Sequence, residues 1–300
     1  MSEYESGLGD GGFFDKTRIQ FFSLEELIHM MKNRDFLDAV LLSKTADEAM
    51  ETLRSKHGAD LPANLPAKAD DAVKVLQNQF GDDFLKVLNS RKSIRRYKPD
   101  PVPDEMIDKI LEAARWAPTG ENYQPWRFIV IRDQETRNKI GDLALEGSGS
   151  RMTSWYCLNE LQRRFEGIED PEKRKTVLEF MYSGKVSEFC KQAPLVIAVI
   201  GDLRVGSVDV PYDCCAALEN MSLQAHAMGL GSCWVYGPVA STRDAIRFKE
   251  ILGIPTEMGY YKVISYLAVG YPLEQRKHPR PKMQLDEMVY WEKFGNKERK

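Results

Sequence analysis

The feature that most limits how this chain can fold is the run Ala193-Pro194-Leu195-Val196-Ile197-Ala198-Val199-Ile200-Gly201, which has no polar side chain. A strand with one face in water alternates apolar and polar residues, so an unbroken apolar strand is buried on both faces. A second constraint follows at Asp213 to Met228. There Cys214, Ala217, Leu218, Met221, Ala225 and Met228 recur at helical spacing, and Gly229 stands where a C-cap glycine belongs. That helix is too apolar to face solvent.

Around these two elements the pattern predicts others. An amphipathic helix runs from Asp104, read as its cap, to Trp116, with Ile107, Ile110, Leu111 and Ala114 inward. Trp126 to Arg132 reads as a core strand, and a helix follows from Gln134 to about Leu145. A short strand ends at Gly237, Ser241 to Leu252 is an amphipathic helix, and Tyr260 to Tyr271 is the last core strand. Residues 147 to 190 read as irregular, with Gly147-Ser-Gly-Ser, the aromatics Trp155, Tyr156, Phe165, Phe180 and Tyr182, and many charges.

The N-terminal part is organised differently. Gly7-Leu-Gly-Asp-Gly-Gly matches a dinucleotide fingerprint only formally, because no strand feeds it. Ser23 with Glu26 and Thr45 with Glu48 form capping boxes, the second opening a helix that closes near Gly58. Leu61-Pro-Ala-Asn-Leu-Pro-Ala-Lys reads as a linker, since its prolines break helical periodicity. From Ala69 to Asn89 the helical spacing resumes, with an interruption expected at Phe80-Gly81-Asp82. The division expected is an N-terminal helical extension over 1–80 and a domain over 81–300.

Composition excludes several function classes. Of 300 residues 43% are hydrophobic and 29% charged, with a net charge of −3, so no basic field invites nucleic acid. No apolar run approaches the roughly 20 residues of a membrane span, and the acidic, polar N-terminus is unlike a signal peptide. A cytoplasmic protein is expected. Cys157, Cys190, Cys214, Cys215 and Cys233 include no Cys-x-x-Cys pair, and His29, His57, His226 and His278 have no ligand spacing. Structural, reduced cysteines and no metal are the expectation, with Cys214-Cys215 buried on a helix.

Two stretches carry chemistry. If Arg91-Lys92-Ser93-Ile94-Arg95-Arg96-Tyr97 is extended, Arg91, Ser93 and Arg95 share a face and offer two guanidiniums and a hydroxyl to one anion. A solvated basic run has the same composition. About one helix later comes Ala117-Pro118-Thr119-Gly120-Glu121-Asn122-Tyr123-Gln124-Pro125-Trp126. Further on, the glycine of Tyr236-Gly237 suits a backbone that must approach a flat ligand closely, although a plain strand-to-loop turn reads the same way.

The two stretches, in this order and joined by the helix from Asp104, resemble the opening of the FMN-dependent nitroreductase family. Its pattern is Arg-Arg-Ser-x-Arg, then Pro-x-x-x-Leu/Ile, then Ala-Pro-Ser-x-x-Asn-x-Gln-Pro-Trp. Thr119 departs from the usual Ser, and Gly120 is associated with a dehalogenating branch. Gly270-Tyr271-Pro272 and Leu285-Asp-Glu-Met-Val match the family's ending, so the resemblance covers about residues 82 to 290.

The resemblance implies an α+β fold with a central mixed sheet flanked by helices, an intertwined homodimer, and FMN sites at its interface. Arg91, Lys92, Ser93 and Arg95, with Arg280 and Lys282, would hold the cofactor on its phosphate side; Arg276 and Lys277 compete with the last pair. Pro118, Thr119, Gly120 and Asn122 would come from the other subunit, and the Tyr236-Gly237 turn would direct a main-chain N–H at the flavin. Residues 147–190 would be the substrate lid. NAD(P)H would reduce the flavin, which would pass electrons to a nitroaromatic, quinone or similar small-molecule acceptor in a ping-pong cycle.

Alternatives on the same scaffold are a reductive dehalogenase, a flavin-fragmenting enzyme and a peptide dehydrogenase. A non-enzymatic flavin-binding protein is another. Residues 23–58 weakly resemble leader-like helical modules, which would imply a peptide or protein partner for residues 1–80; an extension packing on the enzyme's own dimer is the other reading.

Overall fold

A computed structural model describes Glu51, Ser55 and residues 81–205, 209–274 and 282–299. Glu51 and Ser55 are helical, as expected of the helix opened by Thr45. The Gly7 run, the capping box at Ser23, the linker from Leu61, and Arg276, Lys277, His278 and Arg280 lie outside the described residues. The chain divides into two compact units, Met1–Ser90 and Arg91–Lys300. In the first unit, residues 81–90 are helical, and the Lys86 ammonium meets the Asp83 carboxylate at 2.6 Å, three residues back. Gly81 and Asp82 are helical, while Phe80, the first residue of the expected interruption, lies outside the described residues; residues 81–90 group with the first unit.

The second unit is built on a four-stranded sheet of order β1-β2-β4-β3, where β1 is Trp126–Ile131, β2 Leu195–Asp202, β3 Gly231–Val235 and β4 Tyr261–Gly270. All three strand pairings are antiparallel, rather than the mixed pairing expected; the parallel bridge Ser93 to Ser232 is isolated and lies outside the strands. β2 is buried along its whole length, as its composition requires. Leu195, Ile197 and Val199 enter one core, and Val196, Ala198 and Ile200 enter the other.

The first core is covered by α1 (Asp104–Arg115) and α5 (Val210–Ala227), and the second by α2 (Gln134–Asn159), the short α4 (Phe189–Gln192) and α6 (Thr242–Leu252). α3 (Pro171–Tyr182) and α7 (Leu285–Met288) complete the helices described. No helix among the described residues is long and apolar enough to cross a membrane.

Four local expectations need correction. β1 lies at the sheet edge, and Val130 is 38% exposed, so it is a half-buried strand rather than a core one. α1 begins with Asp104 as its first helical residue after Pro103 at the cap position, and the Asp104 carboxylate pairs with Arg132 instead of capping. α5 starts at Val210, because Pro211 is tolerated in a helix's first turn, where its missing N–H costs nothing.

The fourth correction concerns α2, which runs through Gly147-Ser-Gly-Ser to Asn159 rather than stopping near Leu145. Gly149 serves close packing there. A Cβ on Gly149 would lie 2.8 Å from the Tyr182 carbonyl oxygen, and the Ser148 and Ser187 hydroxyls meet at 2.5 Å in the interior. Residues 147–190 are therefore mostly helical, in α2, α3, α4 and two 3-10 turns.

Candidate functional site

The basic segment 91–97 is tied to the sheet at both ends. Ile94 N donates to Ser232 O at 2.9 Å on β3, Lys98 N to Tyr271 O at 2.9 Å, and Leu273 N to Arg96 O at 2.9 Å. The buried Tyr97 hydroxyl donates to Ile94 O at 2.6 Å and lies 3.1 Å from Ala268 O. Gly231 makes this seat possible, since a Cβ there would sit 2.6–2.8 Å from the Ile94 side chain.

Ser93 is bridged to Ser232 on β3, one residue before the Cys233 thiol. Burial pushes that thiol up, against the charges of Arg95 and Arg91 and a hydrogen bond with Ser93. The segment makes only isolated bridges, at Ser93 and Tyr97, and is not a strand. Tyr97 has the same parity as the three ligand candidates and is buried.

Arg95 lies over the Phe189 ring at 5.7 Å, and Arg91 Nε is 3.4 Å from Glu219 Oε1 on α5. His226, near the end of α5, is held below its ordinary value by burial and by Arg91 and Lys92. Two guanidiniums, an ammonium and a hydroxyl, half-buried on a fixed backbone, form a donor set suited to a phosphate.

The second stretch leaves α1 as a loop. Pro118, Gly120 and Asn122 are exposed, Thr119 is half-buried, and its Oγ1 accepts Gln124 N at 3.3 Å. Three non-glycine residues here have left-handed backbone, Glu121 (φ 49°), Asn122 (φ 58°) and Gln124 (φ 49°). Such angles cost energy and persist where the surroundings hold them.

The exit of the loop is held through Asp202. Asp202 N donates to Pro125 O at 2.8 Å, and its carboxylate receives Arg204 at 2.8 and 2.9 Å and Arg127 at 3.3 Å. The hydrogen bond from Arg204, then its charge and that of Arg127, keep this carboxyl below the usual carboxylate range although burial opposes them.

Tyr236 and Gly237 follow the end of β3. From Ser232, beside the basic segment, to Tyr236 is four residues, roughly 13 Å of extended chain. Tyr236 is half-exposed, the Arg151 guanidinium on α2 lies 5.7 Å from its ring centre, and a Cβ on Gly237 would be 3.4 Å from Ser148 Oγ. A cleft of about 640 Å³ opens beside this turn, lined in part by Trp234, Tyr236, Val239 and Tyr261. Lys282 is exposed three residues before α7.

One strand, β3, therefore carries the basic segment at its start and the glycine turn at its end. The loop 117–125 enters from the opposite sheet edge through β1, and Lys282 from the C-terminal segment. Four residues that matter here escaped the sequence reading: Glu219, Asn220, Arg151 and Asp202. Glu219-Asn220 did carry a signal, as adjacent polar residues directly between the inward-facing Leu218 and Met221. Asn220 Nδ2 donates to Ala113 O at 3.0 Å in the last turn of α1, where a helix carbonyl lacks an internal partner.

Other chemistries find little support in the described residues. Cys190 and Cys214 are pushed up to about 12 by burial, so both thiols stay protonated and neither is a nucleophile. Cys190, Cys214, Cys215 and Cys233 are unpaired thiols. No group of three or more His, Cys, Asp or Glu suited to a metal ion occurs among the described residues.

Comparison with known proteins gives a consistent family. The model of the nitroreductase family matches residues 88–271. A protein of Archaeoglobus fulgidus, provisionally named NADH dehydrogenase/NAD(P)H nitroreductase, is 31% identical over 202 residues, covering 65% of this chain and 88% of its own. The iodotyrosine deiodinase 1 of Sus scrofa is 25% identical over 274 residues, covering 85% of this chain and 82% of its own. Among solved structures, a provisionally named nitroreductase from Desulfovibrio desulfuricans in complex with FMN is 25% identical with a TM-score of 0.51, covering 70% of this chain and 97% of that one.

Proposed function

The chain belongs to the nitroreductase family, and from that premise we propose that it is an FMN-dependent oxidoreductase. It would use NAD(P)H to reduce nitroaromatic, quinone or similar electron-poor acceptors. The observation that carries the reading is the basic segment from Arg91 to Arg95 tied to the start of β3 at Ser232, with the glycine turn Tyr236-Gly237 at the end of the same strand.

The residues present fit the cofactor. Arg91, Lys92, Ser93 and Arg95 would hold its phosphate, with Lys282 and Arg280 as the C-terminal contribution. Gly237 leaves the backbone bare for close approach of a ring, and the main-chain N–H groups of Tyr236 and Gly237 supply donors. Pro118, Thr119, Gly120 and Asn122 would line the ring from a second copy in a homodimer. FMN supplies the redox chemistry when bound, taking two electrons from a nicotinamide and giving them to an acceptor.

The protein's part is to bind, orient and tune. Cationic groups near the site favour an anion there, and no side-chain nucleophile is required. The aromatic and charged residues of α2 and α3 would cover the acceptor as a lid.

A second reading is reductive dehalogenation. Gly120 and the extended similarity to the Sus scrofa deiodinase favour it. The test is the visible spectrum of the purified protein followed by anaerobic titration with NADH and NADPH. Flavin absorbance that bleaches with one nucleotide supports the first reading. Bleaching only by dithionite, with halide released from a halogenated phenol, supports the second; a protein that neither holds nor takes up FMN overturns both.

A further inference from the structure

Arg91, Lys92 and Arg95 are three cations within five residues, and their mutual repulsion favours splaying over convergence. The Glu219 carboxylate stands against that at Arg91. Glu219 Oε1 lies 3.4 Å from Arg91 Nε, with the Arg91 side chain 27% exposed and that of Glu219 46% exposed. An ion pair this open contributes little to folding stability, so its value has to be sought in geometry.

A guanidinium has five N–H donors in a rigid planar fork. A carboxylate 3.4 Å from Nε draws that edge of the fork toward it by charge and leaves the terminal N–H groups to face a second anion. Glu219 is itself well placed to act as a fixed post. It sits in the middle of α5, whose next residue is hydrogen-bonded to α1 and whose inner face is fully buried.

We infer that Glu219 is a positioning residue for phosphate: by holding Arg91 at Nε it presents the guanidinium to the phosphate of the bound flavin mononucleotide. The inference rests on the FMN reading above and assigns Glu219 no contact with the ligand. Its cost is a negative charge near a second negative charge, so the sign of its effect is a real test. Orientation would raise affinity for a phosphorylated ligand, and repulsion alone would lower it.

The experiment compares FMN with riboflavin, which has the same ring system and lacks the phosphate. Dissociation constants are measured by flavin fluorescence quenching for the full-length wild type, Glu219→Gln and Glu219→Ala, with circular dichroism melts as a check on folding. The wild type is expected to prefer FMN. Glu219→Gln should reduce that preference by about threefold to tenfold, the loss for one newly mobile side chain, and Glu219→Ala by at least as much, with riboflavin affinity unchanged.

A preference that stays constant or rises in both variants overturns the inference and leaves the FMN reading intact. Equal weakening toward both ligands also overturns it, because that is what a merely structural residue would do. A wild type that does not distinguish FMN from riboflavin removes the phosphate assignment itself, and the inference with it.

Discussion

The segment 91–97 and the loop 117–125 are the two sequence stretches that look most like a ligand site, and the chain builds them in opposite ways. The first is pinned by backbone hydrogen bonds to β3 and the end of β4 and by the buried Tyr97 hydroxyl. The second is exposed and strained, and its exit is tied through the ionised Asp202. One region is preformed by neutral hydrogen bonds and packing. The other is held partly by charge, so it depends on pH and has a surface left to be covered.

The contrast can be broken most forcefully at Tyr97. Replacing Tyr97 by Ala removes a buried ring and two hydroxyl contacts, and is expected to cost about 3–5 kcal/mol of stability in denaturant melts. It should also abolish flavin retention, since the basic segment loses its anchor.

On the loop side, Asp202→Asn is expected to cost about 1.5–3 kcal/mol, the range for hydrogen bonds to charged groups. The sign of the pH effect is fixed. Asp202 has its folded value below the ordinary 3.8, so its contribution is complete above about pH 4 and is lost as pH falls through the folded value. Acid should therefore loosen the loop before the basic segment, as read by amide hydrogen exchange at Trp126 and Asp202 against Ile94 and Lys98. Simultaneous loosening would erase the distinction.

A smaller effect is expected from Gly231→Ala, which drives a methyl group into Ile94. The cost should be about 1–3 kcal/mol, and most of it should vanish in the double variant with Ile94→Ala if the clash is its cause. The smallest is Asn122→Gly. Relief of a positive φ is offset by the greater freedom of glycine in the unfolded chain, so stability should change by less than about 1 kcal/mol. Flavin affinity should still fall, because a proposed ring contact is lost.

Much of this molecule was legible beforehand. The burial of β2 on both faces, the inward residues of α5, the amphipathic helix α6 and β4 all follow from local periodicity. The same kind of reasoning failed at Gly147-Ser-Gly-Ser. Glycine signals a break in a helix taken alone, yet here it makes room for the chain at Tyr182 and Gly184. It failed at β1 because apolar content does not say which strand ends at an edge.

By itself, the sequence determined that β2 is buried on both faces, which face of α5 points inward, and which family these motifs belong to. Those are consequences of side-chain period and of short spacings along the chain. Only the tertiary structure decided that segment 91–97 is tied to β3 at Ser232 and that Glu219 meets Arg91. Such pairings join residues more than a hundred positions apart, and they are selected by packing the whole core at once rather than by any local preference.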